Sequence, residues 1–265
     1  MGRLRVLFYE TPDNPFYSLA FEEAIFQSVM RGADATLRFW RHSNAVIIGY
    51  FQKADEDVNI EYARKMNISI ARRFTGGGAV YHDLGCLLWT VATRGPEKGS
   101  VSYLYDYLLE GFVKALRRLG FTAVRENVND VVVTSGDKSF KVSGAAGSFR
   151  GGTYLLHGTL LLNTNLEVLS RVLRVSKAKL ADKKVSDVKY RVTNLANLNP
   201  SIGVPDVVKA VVESYSELLG LEPYYDLPSR EEIDLARRLY EAKYSRAEWN
   251  LLRMPHSYFE LSSTS

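Results

Sequence analysis

The segment Arg72-Arg73-Phe74-Thr75-Gly76-Gly77-Gly78-Ala79-Val80-Tyr81-His82-Asp83 sets three consecutive glycines between two strand-like runs. Glycine accepts backbone conformations that other residues resist, and its missing side chain lets a ligand approach the main chain. Amides exposed in such a loop cradle carboxylate or phosphate oxygens, and Arg72 and Arg73 supply charge beside them. The plainer alternative is a flexible hairpin tip with two surface arginines. Two familiar nucleotide loops are excluded. No Gly-Lys-Ser/Thr follows the triplet, as a P-loop requires, and the Rossmann glycine spacing is absent.

Outward from this loop, strands and helices do not alternate regularly. Asn14-Pro15 reads as an N-cap with proline at the first helical position, opening a helix through Leu19, Phe21, Glu22, Ile25 and Val29 that ends near Gly32. Thr36–His42 and Ala45–Gln52 are rich in aromatic and β-branched residues and, with Ser43-Asn44 between them, read as a hairpin. A short helix around Asp57–Lys65 leads to a strand at Ile68–Arg73. Ala79–His82 and Cys86–Thr93 read as strands, Ser100 as the cap of a long helix, and Gly120 as its left-handed end. Strands are expected at Thr122–Arg125, Asp130–Thr134, Ser139–Ser148 and Thr153–Leu162, the last two as a hairpin that sets Gly144 opposite His157. Beyond Asn163 the pattern turns helical, with a Lys-rich stretch at Lys177–Lys189 and capping boxes at Ser229/Glu232 and Ser245/Glu248. The expectation is one α+β domain over residues 1–253, its sheets mixed or antiparallel and flanked by helices. Its C-terminal part should be helical from about residue 166, ahead of a polar tail at 254–265.

A second segment, Lys138-Ser139-Phe140-Lys141-Val142-Ser143-Gly144-Ala145-Ala146-Gly147, follows its lysines with small residues that leave room for a ligand. Strand alternation turns Lys141 away from Phe140 and Val142. A compact ammonium on a face lined by small residues meets phosphate or carbonyl oxygens; a solvated strand lysine is the alternative. Asn129-Asp130 at a strand start suits a lysine, a ribose or Mg²⁺, or else simply caps a turn. His42, His82, His157 and His256 have no metal-ligand spacing, so no metal site is read from protein ligands; Mg²⁺ carried by a nucleotide needs none. Cys86 reads as a small buried hydrophobe, and Tyr103-Leu104-Tyr105-Asp106-Tyr107 as half-buried packing.

The 265 residues carry 34 Lys+Arg against 30 Asp+Glu, and 46% are hydrophobic, the composition of a globular protein. The lone cysteine excludes an internal disulfide framework and a Cys-based zinc site. The net charge of +4 suits an anionic nucleotide or an acidic protein partner. The basic residues are spread along the chain, which gives no sign of a nucleic-acid tail. No apolar run reaches the roughly 18 residues of a membrane span. The N-terminus has neither a signal-peptide core nor a myristoylation motif, so a cytoplasmic protein is expected.

Together these segments resemble the lipoate–protein ligase family. Its hallmark, Arg-Arg-x-x-Gly-Gly-Gly-x-Val-x-His-Asp, runs from Arg72 to Asp83 without a gap. Asn129-Asp130, the Lys141-x-Ser-Gly-Ala-Ala block and His157-Gly158-Thr159-Leu160-Leu161 follow in the family's order; Leu19-Ala20-Phe21-Glu22-Glu23 and Val46-Ile47-Ile48-Gly49 also match. The resemblance implies a fold shared with biotin–protein ligases and a two-step reaction. ATP and lipoate give lipoyl-AMP, and a lysine of an acceptor domain then attacks the mixed anhydride and releases AMP. It further implies that Gly76–Gly78 and Arg73 hold the phosphate and the carboxyl end of lipoate, while Ala79–His82 continue along the nucleotide. Lys141 would be the catalytic lysine and Asp130 would position it or the ribose. Phe39, Trp40 and the Val46–Gly49 strand are candidates for the apolar slot that takes the dithiolane tail.

Octanoyl transfer from an acyl carrier by enzymes of the same fold is the nearest rival. It needs a thiol in one of two loops, here Val131–Ser139 or near Leu198–Ser201, and neither contains cysteine. The Gly-Arg-Gly-Arg loop of biotin ligases is also absent. Larger relatives carry an extra C-terminal domain that helps adenylation, whereas shorter members use a separate small protein; the expected partners are therefore an accessory subunit and an acidic acceptor. That acceptor would be a lipoyl domain of a 2-oxoacid dehydrogenase complex or a glycine-cleavage carrier.

Overall fold

Asn14 opens the first helix as the sequence suggests: its side chain accepts the Tyr17 amide at 3.0 Å and Pro15 takes the first helical position of α1, Pro15–Met30. The computed structural model describes residues 2–174 and 192–253. The Lys-rich stretch at Lys177–Lys189 and the tail at 254–265 lie outside the described residues.

Eight strands build the main sheet: β1 (Arg3–Phe8), β2 (Ala35–Trp40), β6 (Cys86–Arg94), β7 (Thr122–Glu126), β8 (Asp130–Ser135), β9 (Lys138–Arg150), β10 (Thr153–Leu161) and β11 (Glu222–Asp226). Their spatial order is β11-β1-β2-β6-β10-β9-β8-β7. β1 runs parallel to both β11 and β2, and the remaining pairs are antiparallel. Strand alternation divides its side chains between two faces. On one face Val6, Leu37, Trp89, Val91 and Leu156 meet α4 (Leu109–Arg118) and α7 (Val204–Leu219), with Trp89 stacked on Phe112 at 4.6 Å. On the other, Leu7, Trp40, Leu88 and Leu155 meet α1 and α8 (Arg230–Leu239). A three-stranded sheet, β4 (Ser69–Arg72), β3 (Asn44–Ile48) and β5 (Val80–Asp83), joins that second layer through Ala45, Ile47 and Ala71. Short helices α2 (Ala54–Asp57), α3 (Ile60–Lys65), α5 (Leu166–Val172) and α6 (Leu195–Leu198), with wider helical turns at Tyr103–Leu108, Tyr240–Tyr244 and Glu248–Leu252, complete the described chain.

Four expectations are corrected. Thr36–His42 and Ala45–Gln52 do not pair: both edges of β2 are taken by β1 and β6, and β3 lies between β4 and β5. The turn between them is instead tied to the loop before α1, where Ser43 donates its amide to the Pro12 carbonyl at 3.0 Å and Arg41 pairs with Glu10 at 2.7 Å. The β9–β10 hairpin forms with Gly151 and Gly152 at positive φ, but its register sets Gly144 opposite Thr159 and Ala146 opposite His157. The C-terminal part is not wholly helical, because Glu222–Asp226 adds β11 to the sheet edge; its proline and scarcity of apolar residues hide it, and an edge strand tolerates both. Ser229 and Glu232 form the expected capping box, whereas Ser245 turns back, its hydroxyl meeting the Glu241 carbonyl, and Ala247 precedes the last helical turn.

Candidate active site

Arg73 builds the glycine loop around its own side chain. Its guanidinium donates to the carbonyls of Gly76 (2.6 Å), Gly78 (2.8 Å) and Ile47 (3.2 Å) and to the Thr75 hydroxyl (3.0 Å). With those carbonyls turned to the cation, the amides of Gly76, Gly77 and Gly78 have no acceptor among the described residues. That is the arrangement of an anion cradle. Burial pushes the guanidinium down to about 10, which leaves it charged at neutral pH. A Cβ at Gly49 would stand 2.1 Å from the Gly77 carbonyl oxygen, and Gly77 has φ = +88°, so the close approach of β3 to the loop requires both glycines.

The floor beneath the loop is one row of side chains across five strands. Trp40 on β2 lies opposite Leu88 on β6, Leu88 opposite Thr159 on β10, Thr159 opposite Gly144 on β9, and Gly144 opposite Asp130 on β8. Directly paired residues share a face, so the row runs from an apolar end to a charged one, about 19 Å at about 4.8 Å per strand. Lys141 reaches the charged end through a bulge. Val131 pairs with Ser143 but Val132 with Lys141, so β9 carries one extra residue and Lys141 returns to the face of Gly144. Its Nζ lies 2.5 Å from Asp130 Oδ1, and the pair passes over Gly144, where a Cβ would be 3.6 Å from both groups. Asn129 fastens the turn before β8 to β9, donating its side-chain amide to the Ala145 carbonyl at 2.6 Å and accepting the Ala145 amide at 2.9 Å.

A second row, Arg38, Thr90, His157 and Ala146, lies two residues along the same strands. His157 Nδ1 is 2.8 Å from Glu22 Oε1, and its Nε2 is 2.9 Å from the Thr75 hydroxyl. Glu22, fully buried on α1, also accepts the Thr90 hydroxyl at 2.6 Å. Burial opposes its charge, but His157, Thr90 and Arg38 outweigh burial and hold the carboxyl below its usual range. A chain of polar contacts thus joins α1 to the glycine loop: Glu22, His157, Thr75, Arg73. Above the floor, His82 Nδ1 lies 3.1 Å from His42 Nδ1; burial pushes His42 down to about 3 and His82 well below the usual imidazole range, so both are neutral.

These walls enclose a cavity of about 370 Å³. Of the residues singled out in the sequence, Arg73, Gly78, Ala79, Val80, His82, Asn129, Asp130, Lys141, Gly144, Ala145, Ala146 and His157 line it. Arg72, Gly76, Gly77, Tyr81 and Asp83 do not. Arg72 points the opposite way from Arg73 along the extended chain, and its buried guanidinium donates to the carbonyls of Trp249, Gly49, Tyr50 and Gln52 at 2.7–3.0 Å. Gly77 packs over Arg73 and Ala146, where a Cβ would be 2.8 Å from the Arg73 guanidinium and 3.3 Å from the Ala146 Cβ. Tyr81 and Asp83 alternate with Val80 and His82; Tyr81 donates to Asn44, and Asp83 accepts the amides of Gly85 and Asn165. Of the proposed tail slot, Trp40 and Ile47 line the cavity, while Phe39, Val46 and Ile48 face other cores. Leu88, Asn127 and Val128 are lining residues that sequence reasoning missed, and Leu19 and Thr159, which stand in the matched blocks without an assigned role, line the cavity too. Leu88 and Thr159 follow from strand register alone. Cys86 is fully buried off the cavity wall, and burial pushes its thiol up, away from the nucleophilic thiolate.

Residues 14–216 match the lipoyl protein ligase A/B catalytic domain family. Lipoate-protein ligase A subunit 1 of Thermoplasma acidophilum is 40% identical over 253 residues, 93% of this chain and 96% of that protein. A solved structure of a bi-partite lipoate protein ligase and its E2 lipoyl domain from the same organism superposes with a TM-score of 0.86 at 39% identity, covering 97% of this chain and 98% of the other. Two further structures, each with a TM-score of 0.81 at 36% identity, are a T. acidophilum putative lipoate protein ligase with bound lipoic acid (95% and 100% covered) and a lipoate-protein ligase A bound with ATP (94% and 98%). The chain belongs to the lipoyl protein ligase A/B catalytic domain family.

Proposed function

We propose that the chain is the catalytic subunit of a lipoate–protein ligase that makes lipoyl-AMP from ATP and lipoate and passes the lipoyl group to an acceptor lysine. The observation that carries this reading is the graded floor of the cavity: an apolar end at Trp40 and Leu88 and a cation, Lys141, at the other end, with Gly78, whose amide has no acceptor among the described residues, in the wall. An amphipathic acid fits such a row with its carboxylate at Lys141 and its tail at Trp40.

In the first step a carboxylate oxygen attacks the α-phosphorus and pyrophosphate leaves. In the second the neutral amine of the acceptor lysine attacks the carbonyl carbon and AMP leaves. Negative charge gathers on phosphate oxygens in one transition state and on the carbonyl oxygen in the other. Lys141, held by Asp130, serves both by fixed electrostatics, and the Gly78 amide in the cavity wall adds a donor already in place. Mg²⁺ would arrive with the nucleotide; no group of three or more His, Cys, Asp or Glu suited to a metal occurs among the described residues.

The T. acidophilum relatives, a subunit 1 and a bi-partite ligase with its E2 lipoyl domain, support two partners, a second subunit and a lipoyl domain as acceptor; on this reading the second subunit aids adenylation. Acidic lipoyl domains of 2-oxoacid dehydrogenase complexes, or a glycine-cleavage carrier, suit the net charge of +4. No described helix is long and apolar enough to cross a membrane, and we place the reaction in the cytoplasm. Incubating the purified chain with synthetic lipoyl-AMP and a lipoyl domain tests the reading by acceptor mass. One added lipoyl group is expected; an unmodified acceptor would overturn it.

A further inference from the structure

Two pairs of sequence neighbours divide in the same way. Glu22 and Arg73 are the ends of the polar chain that runs through His157 and Thr75. The residues beside them, Glu23 and Arg72, turn instead to the C-terminal segment at residues 240–252. Glu23 accepts the Lys243 ammonium at 2.7 Å and the Tyr244 hydroxyl at 2.5 Å. The Arg72 carbonyl accepts the Trp249 indole N–H, and its amide donates to the Asn250 side chain, both at 2.9 Å. Lys243 Nζ lies 4.1 Å from the centre of the Trp249 ring, so the two attachments are also joined to each other.

The Arg72 guanidinium carries the attachment further. It is fully buried and no carboxylate pairs with it among the described residues. It donates to five carbonyls: Trp249 and Leu251 in the C-terminal segment, and Gly49, Tyr50 and Gln52 in the loop after β3. An apolar side chain would fill that space without burying a charge, so what the planar fork of N–H groups adds is direction. The loop it holds is the one on which the glycine loop rests. Tyr50 donates its amide to the Thr75 carbonyl at 2.8 Å, and Gly49 packs against the Gly77 carbonyl. Position is thus passed from Trp249 through Arg72 and residues 49–52 to the glycine amides.

We propose that Arg72 is a positioning residue for the transfer reaction, acting on the glycine loop through residues 49–52, and that residues 240–252, fastened also at Glu23, form the clamp that holds it in place. This rests on the ligase reading of the cavity. Donors fixed in advance lose their effect on small displacement, so loosening the clamp lowers the rate of the folded chain as well as its stability.

Arg72→Met removes every one of these side-chain bonds and endangers the fold, so the variant to use is Trp249→Phe. It keeps a ring between Lys243 and Tyr50 and loses the N–H to Arg72. Its control is Val211→Ala, which opens a cavity in α7 on the opposite face of the main sheet. Two quantities are read from the full chains, well below their melting temperatures: single-turnover transfer from lipoyl-AMP to a lipoyl domain, and the ¹⁵N–¹H signals of Gly76, Gly77 and Gly78. Trp249→Phe should slow transfer about 10-fold and move the three glycine signals. Val211→Ala, although less stable than wild type, should do neither. An unchanged rate or unchanged glycine signals in a folded Trp249→Phe chain would overturn the proposal. An equal loss of rate in Val211→Ala would overturn it too, since stability would then account for both. Should Trp249→Phe fail to fold, Lys243→Met, which releases the Glu23 attachment, is read by the same two measures and the same criteria. No transfer by wild type overturns the ligase reading and this inference together, whereas transfer by wild type and an unaffected variant overturn this inference alone.

Discussion

Lys141 and Asp130 meet at 2.5 Å in a wall that is only partly shielded, so their worth is catalytic placement more than stability. Replacing Lys141 with Ala should lower transfer from supplied lipoyl-AMP by about 10²-fold or more, the scale of losing an oxyanion-stabilising group, while circular dichroism stays that of wild type. Normal transfer would remove Lys141 from the mechanism. Asp130→Asn should keep the cation but loosen it, costing about 10-fold in turnover with little change in melting temperature. The buried imidazoles carry a stability prediction. His42 titrates near 6.5 when free and at about 3 in the folded chain, so acid drives protons onto the unfolded state. Stability is full above pH 6.5 and falls as pH drops from there toward 3; His82 adds in the same direction. The urea midpoint should therefore be lower at pH 5 than at pH 7, and His42→Phe should flatten that difference. Most of these residues are legible in the sequence because glycine triplets and lysines among small residues are rare patterns. The exceptions are physical. Arg72 and Arg73 look equivalent in one dimension, and only strand alternation sends one to the cavity and the other to the carbonyls of the C-terminal turns.

At the scale of elements, a bulge and a close approach decide the site. The extra residue in β9 brings Lys141 onto the face of Gly144, and nothing in the composition of that strand announces it. The β3–loop approach leaves no room for a side chain at position 49. Gly49→Ala should displace the glycine loop and weaken lipoate and ATP binding by at least about 10-fold, a cost of roughly 1–3 kcal/mol for a misfit methyl. Wild-type affinity in that variant would mean the loop shifts without consequence. Helix caps and hairpins were readable where their signals are local, as at Asn14 and Ser229. The false β2–β3 hairpin shows the limit. Two strand-like runs with a short turn pair only if their edges are free, and here other strands occupy them.

In the whole molecule, segments beyond residue 220 fasten elements that the first part of the chain encodes. β11 extends the main sheet beside β1, and Trp249 and Asn250 reach Arg72: the Trp249 indole donates to its carbonyl and Asn250 accepts its amide, both at 2.9 Å. Such long-range partners leave no trace in local sequence, which is why the α+β class and the cavity were foreseeable but the staple behind the loop was not. The proposed division of labour also belongs to this scale, with one subunit holding the cavity and a second aiding adenylation. On this reading the cavity transfers lipoyl from an adenylate through Lys141. Its most direct test is the mass of a lipoyl domain after a single turnover with lipoyl-AMP, run with wild type and with Lys141→Ala. One lipoyl group on the acceptor is expected with wild type and an unmodified acceptor with the variant. Equal modification by both chains, or none by wild type, would contradict it.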